Sequence, residues 1–171
     1  MDPVFALTLR IGFAYLFASA AIHKLRNLPS FRYTLARYEL VPEKFVGALS
    51  VVVVSAETYI ALRMLLSSRI QYAAAAVLTA YSFAIALNVV RGRTDLDCGC
   101  MGPAARTPLS WWLVARNMVL VFFVLLLSSP VTLRPLTWLD AVLVVGATAL
   151  MIGVWVAVER LLMVTVEPPH A

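Results

Sequence analysis

The chain has 171 residues, of which 62% are hydrophobic and only 13% are charged, and its mean hydropathy is +0.88. Soluble domains of this size are nearer half apolar and a quarter charged, so the composition excludes an ordinary soluble domain and indicates a membrane protein. The net charge of +5 does not indicate nucleic-acid binding. The basic residues lie mostly in loops between apolar runs, where they meet lipid headgroups and set topology.

Apolar runs predict five transmembrane helices, at about residues 4–22, 45–66, 70–90, 109–127 and 138–160. Each run has about 20 residues, which at about 1.5 Å per residue crosses roughly 30 Å of hydrocarbon. We therefore expect an all-α integral membrane protein. It would be a compact bundle of about five transmembrane helices in one domain covering residues 1–171.

Five helices place successive loops on alternating sides of the membrane. Residues 23–44, the segment 91–108 and the C-terminus share one side, which we call face B. The N-terminus, the 67–69 turn and the 128–137 loop share the other side, which we call face A.

The first long loop on face B contains a helical pattern. Phe31, Leu35 and Tyr38 recur at helical spacing, Pro29 can begin a helix, and Pro42 can stop it. The pattern predicts a short helix lying in the membrane interface. Two roles fit such a helix: an interfacial anchor, or a lid over the segment 91–108.

The segment 91–108 carries the only two cysteines, Cys98 and Cys100, which are separated by Gly99. Its glycines and prolines predict an irregular loop. A disulfide between these cysteines would close a very small ring, which stabilises little and is easily reduced. The pair is therefore a candidate redox dithiol and catalytic site, and a metal or thiol-ligand site or inert thiols on a turn are the alternatives.

Polar residues interrupt the apolar runs in the half of the membrane nearest face B. They come from four predicted helices, and they are His23, Glu57, Asn88, Arg116 and Asn117. A lone carboxylate within the membrane is costly, so Glu57 should be paired, protonated or facing a wet cavity. These residues predict a supporting polar pocket beneath the dithiol that handles protons or binds a small redox molecule. The alternative is a structural ion pair with snorkelling neighbours.

Several short motifs, in this order and spacing, resemble the MauE/DoxX-like family of redox-associated membrane proteins. They are "FASAAIHKL" (17–25), "RYELVPEKF" (37–45), "SAETYIALRMLL" (55–66), "DCGCMG" (97–102) and "WWLVARNMVLV" (111–121). The name-giving member of the family serves methylamine utilisation. The resemblance implies a helical-bundle membrane protein associated with thiol–disulfide chemistry and with maturation of disulfide-containing exported proteins, often beside a thioredoxin-like partner.

Carried over position by position, the resemblance matches Cys98 and Cys100 to the family's CGC pair and Glu57 to its intramembrane glutamate. Arg116 and Asn117 match its Arg-Asn pair, and residues 23–24 match the end of its first helix. The chain departs from the family at Met101, where phenylalanine is common, which puts the contact with a partner in question.

The leading functional hypothesis is a membrane thiol–disulfide redox protein that exchanges electrons with a thioredoxin-like or exported protein. It could act as a thiol–disulfide oxidoreductase, with no cofactor certain. Quinone is a candidate second carrier by analogy with other helical-bundle thiol oxidases. The alternatives are a non-enzymatic accessory subunit of a larger membrane complex and a metal-handling membrane protein.

The side of the membrane that holds the dithiol is predicted differently by two lines of reasoning. Lys and Arg are concentrated in the face-B loops, and the positive-inside rule puts such a face in the cytoplasm. The resemblance to proteins that mature exported partners puts it outside, where disulfides persist. We follow the resemblance and expect the dithiol on the extracytoplasmic face of a bacterial inner membrane.

Overall fold

The computed structural model describes residues 1–66, 68–96, 108–132 and 134–166. These residues form six α-helices: α1 Pro3–Arg26, α2 Leu28–Arg37, α3 Glu43–Leu66, α4 Gln71–Val90, α5 Trp111–Leu126 and α6 Trp138–Val166. A short 3₁₀ turn, Ser68–Ile70, joins α3 to α4. The predicted all-α membrane fold is confirmed, and the short helix predicted in the first long loop is present as α2.

Four of the described helices, α1, α3, α4 and α6, are long and apolar enough to cross a membrane. The fifth predicted span, α5, is apolar but has only 16 residues, which corresponds to about 24 Å. The first and last helices extend beyond the predicted runs, to Arg26 and Val166. The apolar pattern marks only the part of a helix that lies within hydrocarbon, whereas the hydrogen-bonded backbone can continue into polar residues. Helix α1 continues in this way until Asn27, which is the N-cap of α2.

The helices pack mainly as two pairs. Helix α1 packs along α3, α4 packs along α5, and α6 lies against α1. Phe17, Met64 and Val124, from three different helices, meet in a core where each is at most 1% exposed. Helices α3 and α4 touch little beyond the turn that joins them. The two helices are therefore joined mainly by contacts between side chains and not by close approach of their backbones.

Gly12 of α1 lies against Met151 of α6. A Cβ atom added there would lie 1.6 Å from the terminal methyl group of Met151. The absence of a side chain at position 12 therefore leaves room for the Met151 side chain, and most of the described side chains of α6 are exposed on the outside of the bundle.

Hydrogen bonds close the bundle on face A. The Met1 ammonium group donates to the Pro130 carbonyl at 2.6 Å, and the Thr132 amide donates to the Met1 carbonyl at 3.0 Å. Arg10 donates to the carbonyls of Met64 and Leu65 at 3.0 and 3.2 Å. A cation at the C-terminal end of α3 satisfies carbonyls that the helix leaves without intrahelical partners.

Helix α2 is fixed to the rest of the bundle on face B. The Asn27 side chain accepts a hydrogen bond from the Ser30 amide at its N-terminus, and Pro29 lies in its first turn. Arg32 Nε donates to Ser50 Oγ on α3 at 3.2 Å. The helix ends at Arg37, and Glu39 has a positive φ of 48°, a conformation in which the chain reverses toward α3.

Candidate functional site

A buried ion pair joins α1 to α3. Lys24 Nζ lies 2.5 Å from Glu57 Oε1, and the two side chains are only 5% and 0% exposed. The Tyr81 hydroxyl of α4 donates to the same Glu57 oxygen at 2.6 Å. Three helices therefore converge on one carboxylate oxygen, and we call Lys24, Glu57 and Tyr81 the buried triad.

The lean of helical side chains explains how Lys24 reaches Glu57. Lys24 lies two residues before the face-B end of α1, whereas Glu57 lies fourteen residues after the face-B end of α3. The backbone of Glu57 is therefore farther from face B than that of Lys24. Side chains tilt toward the N-terminus of their own helix, so in this antiparallel pair Lys24 leans inward while Glu57 leans toward face B.

Two aromatic rings enclose the Lys24 ammonium group. Its nitrogen lies 5.4 Å from the ring centroid of Phe31 on α2 and 5.4 Å from that of Tyr81. Such cation–π contacts help a charge tolerate burial. Because Phe31 belongs to α2, the short interfacial helix covers the buried triad on its face-B side.

Two buried acceptors near this site have no hydrogen-bond donor among the described residues. They are the second carboxylate oxygen of Glu57, Oε2, and the side-chain oxygen of Asn88, Oδ1. Both residues are 0% exposed. Asn88 Nδ2 donates to the Ala84 carbonyl at 3.0 Å, so only its oxygen lacks a partner. Buried polar atoms without partners are rare enough in proteins that each requires an explanation.

The structure distributes the predicted pocket residues unevenly. Glu57, Asn88 and Asn117 are buried, whereas His23 is exposed and its neighbour Lys24 turns inward. The guanidinium group of Arg116 lies 5.0 Å from the ring centroid of Trp155 on α6. The described ion-pair partner of Glu57 is therefore Lys24.

Sequence reasoning placed Lys24 only at the end of the first helix and did not single out Tyr81. A signal for Tyr81 was available, because Glu57 lies nine residues before the end of α3 and Tyr81 ten residues after the start of α4. A short turn between the two helices places such residues at equal depth. Lys24 carried no comparable signal, because its backbone is not level with that of Glu57.

The candidate dithiol, Cys98 and Cys100, lies outside the described residues, but both ends of the segment that carries it are described. The Leu109 amide donates to the carbonyls of Thr94 and Leu96, each at 3.1 Å. Leu96 and Leu109 are 4% and 2% exposed. They pack in a small core with three other buried residues: Tyr38, Ile85 and Leu113. The two residues that flank the segment 97–107 on its described sides, Leu96 and Leu109, therefore lie side by side in the bundle, at a place that we call the stem.

Ion pairs tie the stem to the first loop. Arg37 pairs with Asp95 at 3.0 Å, and Arg93 pairs with Glu39 at 2.7 Å. The hydrogen bond from Arg93 holds the pKa of the Glu39 carboxyl below its ordinary value. These pairs are largely exposed and contribute little to stability. They keep the turn between α2 and α3 beside the stem.

The part of the chain that the structure describes contains no group of three or more His, Cys, Asp and Glu side chains placed to hold a metal ion.

Comparisons with known proteins agree with the motif resemblance. Residues 2–129 match the family model described as methylamine utilisation protein MauE. The methylamine utilization protein MauE of Paracoccus denitrificans is 33% identical over 156 residues, covering 90% of this chain and 82% of the relative. That of Paracoccus versutus is 37% identical over 122 residues, covering 70% and 66%. No solved structure matches the chain. The matching model and relatives show that this chain belongs to the MauE family of membrane proteins.

Proposed function

We propose that this chain is a membrane thiol–disulfide redox protein serving methylamine utilisation, with Cys98 and Cys100 as its reactive pair. The observation that carries the proposal is the closed stem. The amide of Leu109 returns the chain to Thr94 and Leu96, so the segment with the chain's only two cysteines starts and ends at one anchored point on face B. A redox pair on an anchored loop at the membrane boundary is accessible to a partner protein.

The exchange is balanced without a further reagent. A thiolate of a partner dithiol attacks the Cys98–Cys100 disulfide and forms a mixed disulfide. The second partner thiolate then attacks the partner's own sulfur in the mixed disulfide, and the cysteine of this chain leaves as a thiolate. The partner becomes a disulfide, Cys98 and Cys100 become thiols, and two electrons and two protons have changed molecules. The reverse sequence runs when the partner is the stronger oxidant.

A thioredoxin-like protein or an exported protein is the proposed partner. This chain has two cysteines in all, so it cannot pass electrons internally from one cysteine pair to another. A second external carrier must therefore restore the pair after each exchange, and this need favours a complex with another oxidoreductase. The turn between α2 and α3, held beside the stem by Arg93 and Glu39, is the surface nearest to the incoming partner.

The dithiol is proposed to face the extracytoplasmic side of a bacterial inner membrane. Maleimide labelling of intact cells with a membrane-impermeant reagent tests this placement. Labelling of Cys98 and Cys100 in intact cells supports it, and labelling only after cell lysis contradicts it. A chain with both cysteines changed to serine is the control for background.

Growth on methylamine tests the function itself. We expect the Cys98→Ser, Cys100→Ser double variant to fail to restore growth to a strain lacking this chain, while the wild type restores it. The variant must reach the membrane at wild-type levels for the comparison to hold. Normal growth with the double variant would contradict the redox proposal and favour an accessory subunit.

A further inference from the structure

The second carboxylate oxygen of Glu57 needs a hydrogen-bond donor that the described residues do not supply. Its first oxygen already accepts from Lys24 at 2.5 Å and from Tyr81 at 2.6 Å. Oε2 has no partner, although Glu57 is 0% exposed. Oε2 is therefore the oxygen of this carboxylate that is open to a further hydrogen bond.

Asn88 is placed to continue a polar path from Glu57 toward face B. Tyr81, Ala84 and Asn88 follow one another at spacings of three and four residues, so they share one stripe of α4. Tyr81 and Asn88 are about 10 Å apart along the helix. The small side chain of Ala84 stands between them, and the unpartnered Oδ1 of Asn88 provides a second acceptor.

The path ends at the stem. The carbonyl of Asn88 accepts a hydrogen bond from the Arg93 amide at 3.0 Å, and Leu96 follows three residues later. Leu96 and Leu109 flank the segment that carries Cys98 and Cys100 in the sequence.

We propose that Glu57 is a proton-exchanging site, reached from face B by water held between Oε2 of Glu57 and Oδ1 of Asn88. Buried water typically bonds to such orphaned polar atoms. The titratable groups that contact Glu57 in the described chain are Lys24 and Tyr81.

The coupling of this site to the dithiol rests on the proposed function. When a cysteine thiol ionises to attack a partner disulfide, its proton passes to Oε2 of Glu57, which becomes a neutral carboxylic acid. The proton returns when the thiolate released in the next exchange is protonated, so the cycle takes up no net proton. While the acid is neutral, the rings of Phe31 and Tyr81, each 5.4 Å from Lys24 Nζ, stabilise the remaining ammonium charge.

Infrared spectroscopy of the full chain in lipid vesicles tests the proton site without using the thiols. In a Cys98→Ser, Cys100→Ser background, an acid jump in deuterated buffer should produce a carboxylic-acid band that is missing in Glu57→Gln. We expect Asn88→Leu, which leaves the ion pair intact, to slow the appearance of the band at least about tenfold, because it removes a hydrogen-bond partner of the water. Gln71→Leu is the matched control, since Gln71 Oε1 is also buried and unpartnered but lies at the face-A end of α4.

Three results would overturn the proton site: no Glu57 band, an unchanged rate in Asn88→Leu, or equal slowing in Gln71→Leu. The coupling is tested separately, by the pH profile of disulfide reduction by dithiothreitol in the chain with both cysteines. Glu57→Gln should alter that profile, and Gln71→Leu should not. An unaltered profile contradicts the coupling. Cysteines that never react contradict the proposed function while leaving the infrared result to decide the proton site.

Discussion

Two ionic sites at opposite ends of the bundle show how burial changes the role of a charge. On face A, Arg134 donates to Asp140 at 2.8 and 2.9 Å and to Asp2 at 3.3 Å. The Thr137 amide also donates to Asp140 at 2.7 Å. Arg134 and Asp2 are 39% and 52% exposed. We call Arg134, Asp2 and Asp140 the face-A cluster. Water can supply further hydrogen bonds to the exposed Arg134 and Asp2 side chains. The cluster holds the N-terminus against the start of α6.

The two charged side chains of the buried triad, in contrast, have almost no exposed surface. Lys24 and Glu57 are almost completely enclosed, and one carboxylate oxygen has no described donor. Apolar residues of similar size would usually replace such a pair without loss of stability. Charged residues inside a membrane protein mark ion or proton sites more often than they mark structural supports. The comparison supports a structural role for the face-A cluster, and we propose a chemical role for the buried triad.

The largest expected effect comes from breaking the buried pair on one side. Lys24→Met leaves Glu57 buried without its cation, which should lower the free energy of unfolding by about 3–5 kcal/mol. Changing Glu57→Leu in the same chain should recover most of the loss, because no charge is then left unpaired. Unfolding in a titration of sodium dodecyl sulfate, followed by circular dichroism, measures both. A double variant as unstable as the single one would show that the pair itself supports the fold.

Removing the phenol from the triad should have a smaller effect. Tyr81→Phe deletes one hydrogen bond to Glu57 and should cost about 1 kcal/mol, as hydrogen bonds between transmembrane helices typically do. Tyr59→Phe is the control, because Tyr59 is 56% exposed on α3. Equal effects of the two substitutions on the same unfolding titration would show that the hydrogen bond from Tyr81 to Glu57 does not stabilise the fold.

The face-A cluster should contribute less than Tyr81. Arg134→Gln removes an exposed ion pair with Asp2 and a second pair with Asp140, whose side chain is only 8% exposed but keeps its hydrogen bonds from Thr137. We therefore expect a small loss of thermal stability in detergent at low salt, part of which disappears at high salt because salt screens the exposed pair. Arg26→Gln provides the comparison, since Arg26 is exposed at the end of α1. A loss that is unchanged at high salt would mean that the exposed pair with Asp2 contributes nothing to it.

The smallest expected effect is the acid sensitivity of Asp2. The hydrogen bond from the Val4 amide, and then that from Arg134, hold the pKa of the Asp2 carboxyl below its ordinary value. A lowered folded pKa means that the stabilisation is complete above the ordinary aspartate pKa of about 3.9 and is lost as pH falls through the folded value. Thermal scans of Asp2→Asn against wild type should therefore differ at neutral pH and converge in acid. Curves that stay parallel would show that Asp2 does not titrate in this way.

The sequence predicted the architecture because lipid imposes a simple rule on composition. Apolar runs of about 20 residues must be helices across the membrane, and Pro29 and Pro42 delimited the interfacial helix. The depth of Glu57 could also be counted along its helix. The ion-pair partner of Glu57 could not be predicted, because the backbone of Lys24 lies nearer face B than that of Glu57. The two side chains meet only because they tilt toward each other. Tyr81 was missed because tyrosine in an apolar helix usually packs.

The most direct test of the account is the redox state of Cys98 and Cys100 in growing cells, trapped by acid and alkylated with a mass-tagged maleimide. Growth with and without methylamine should shift the pair between disulfide and dithiol. A pair that remains in one state under both conditions would contradict the claim that these thiols form a reversible redox site.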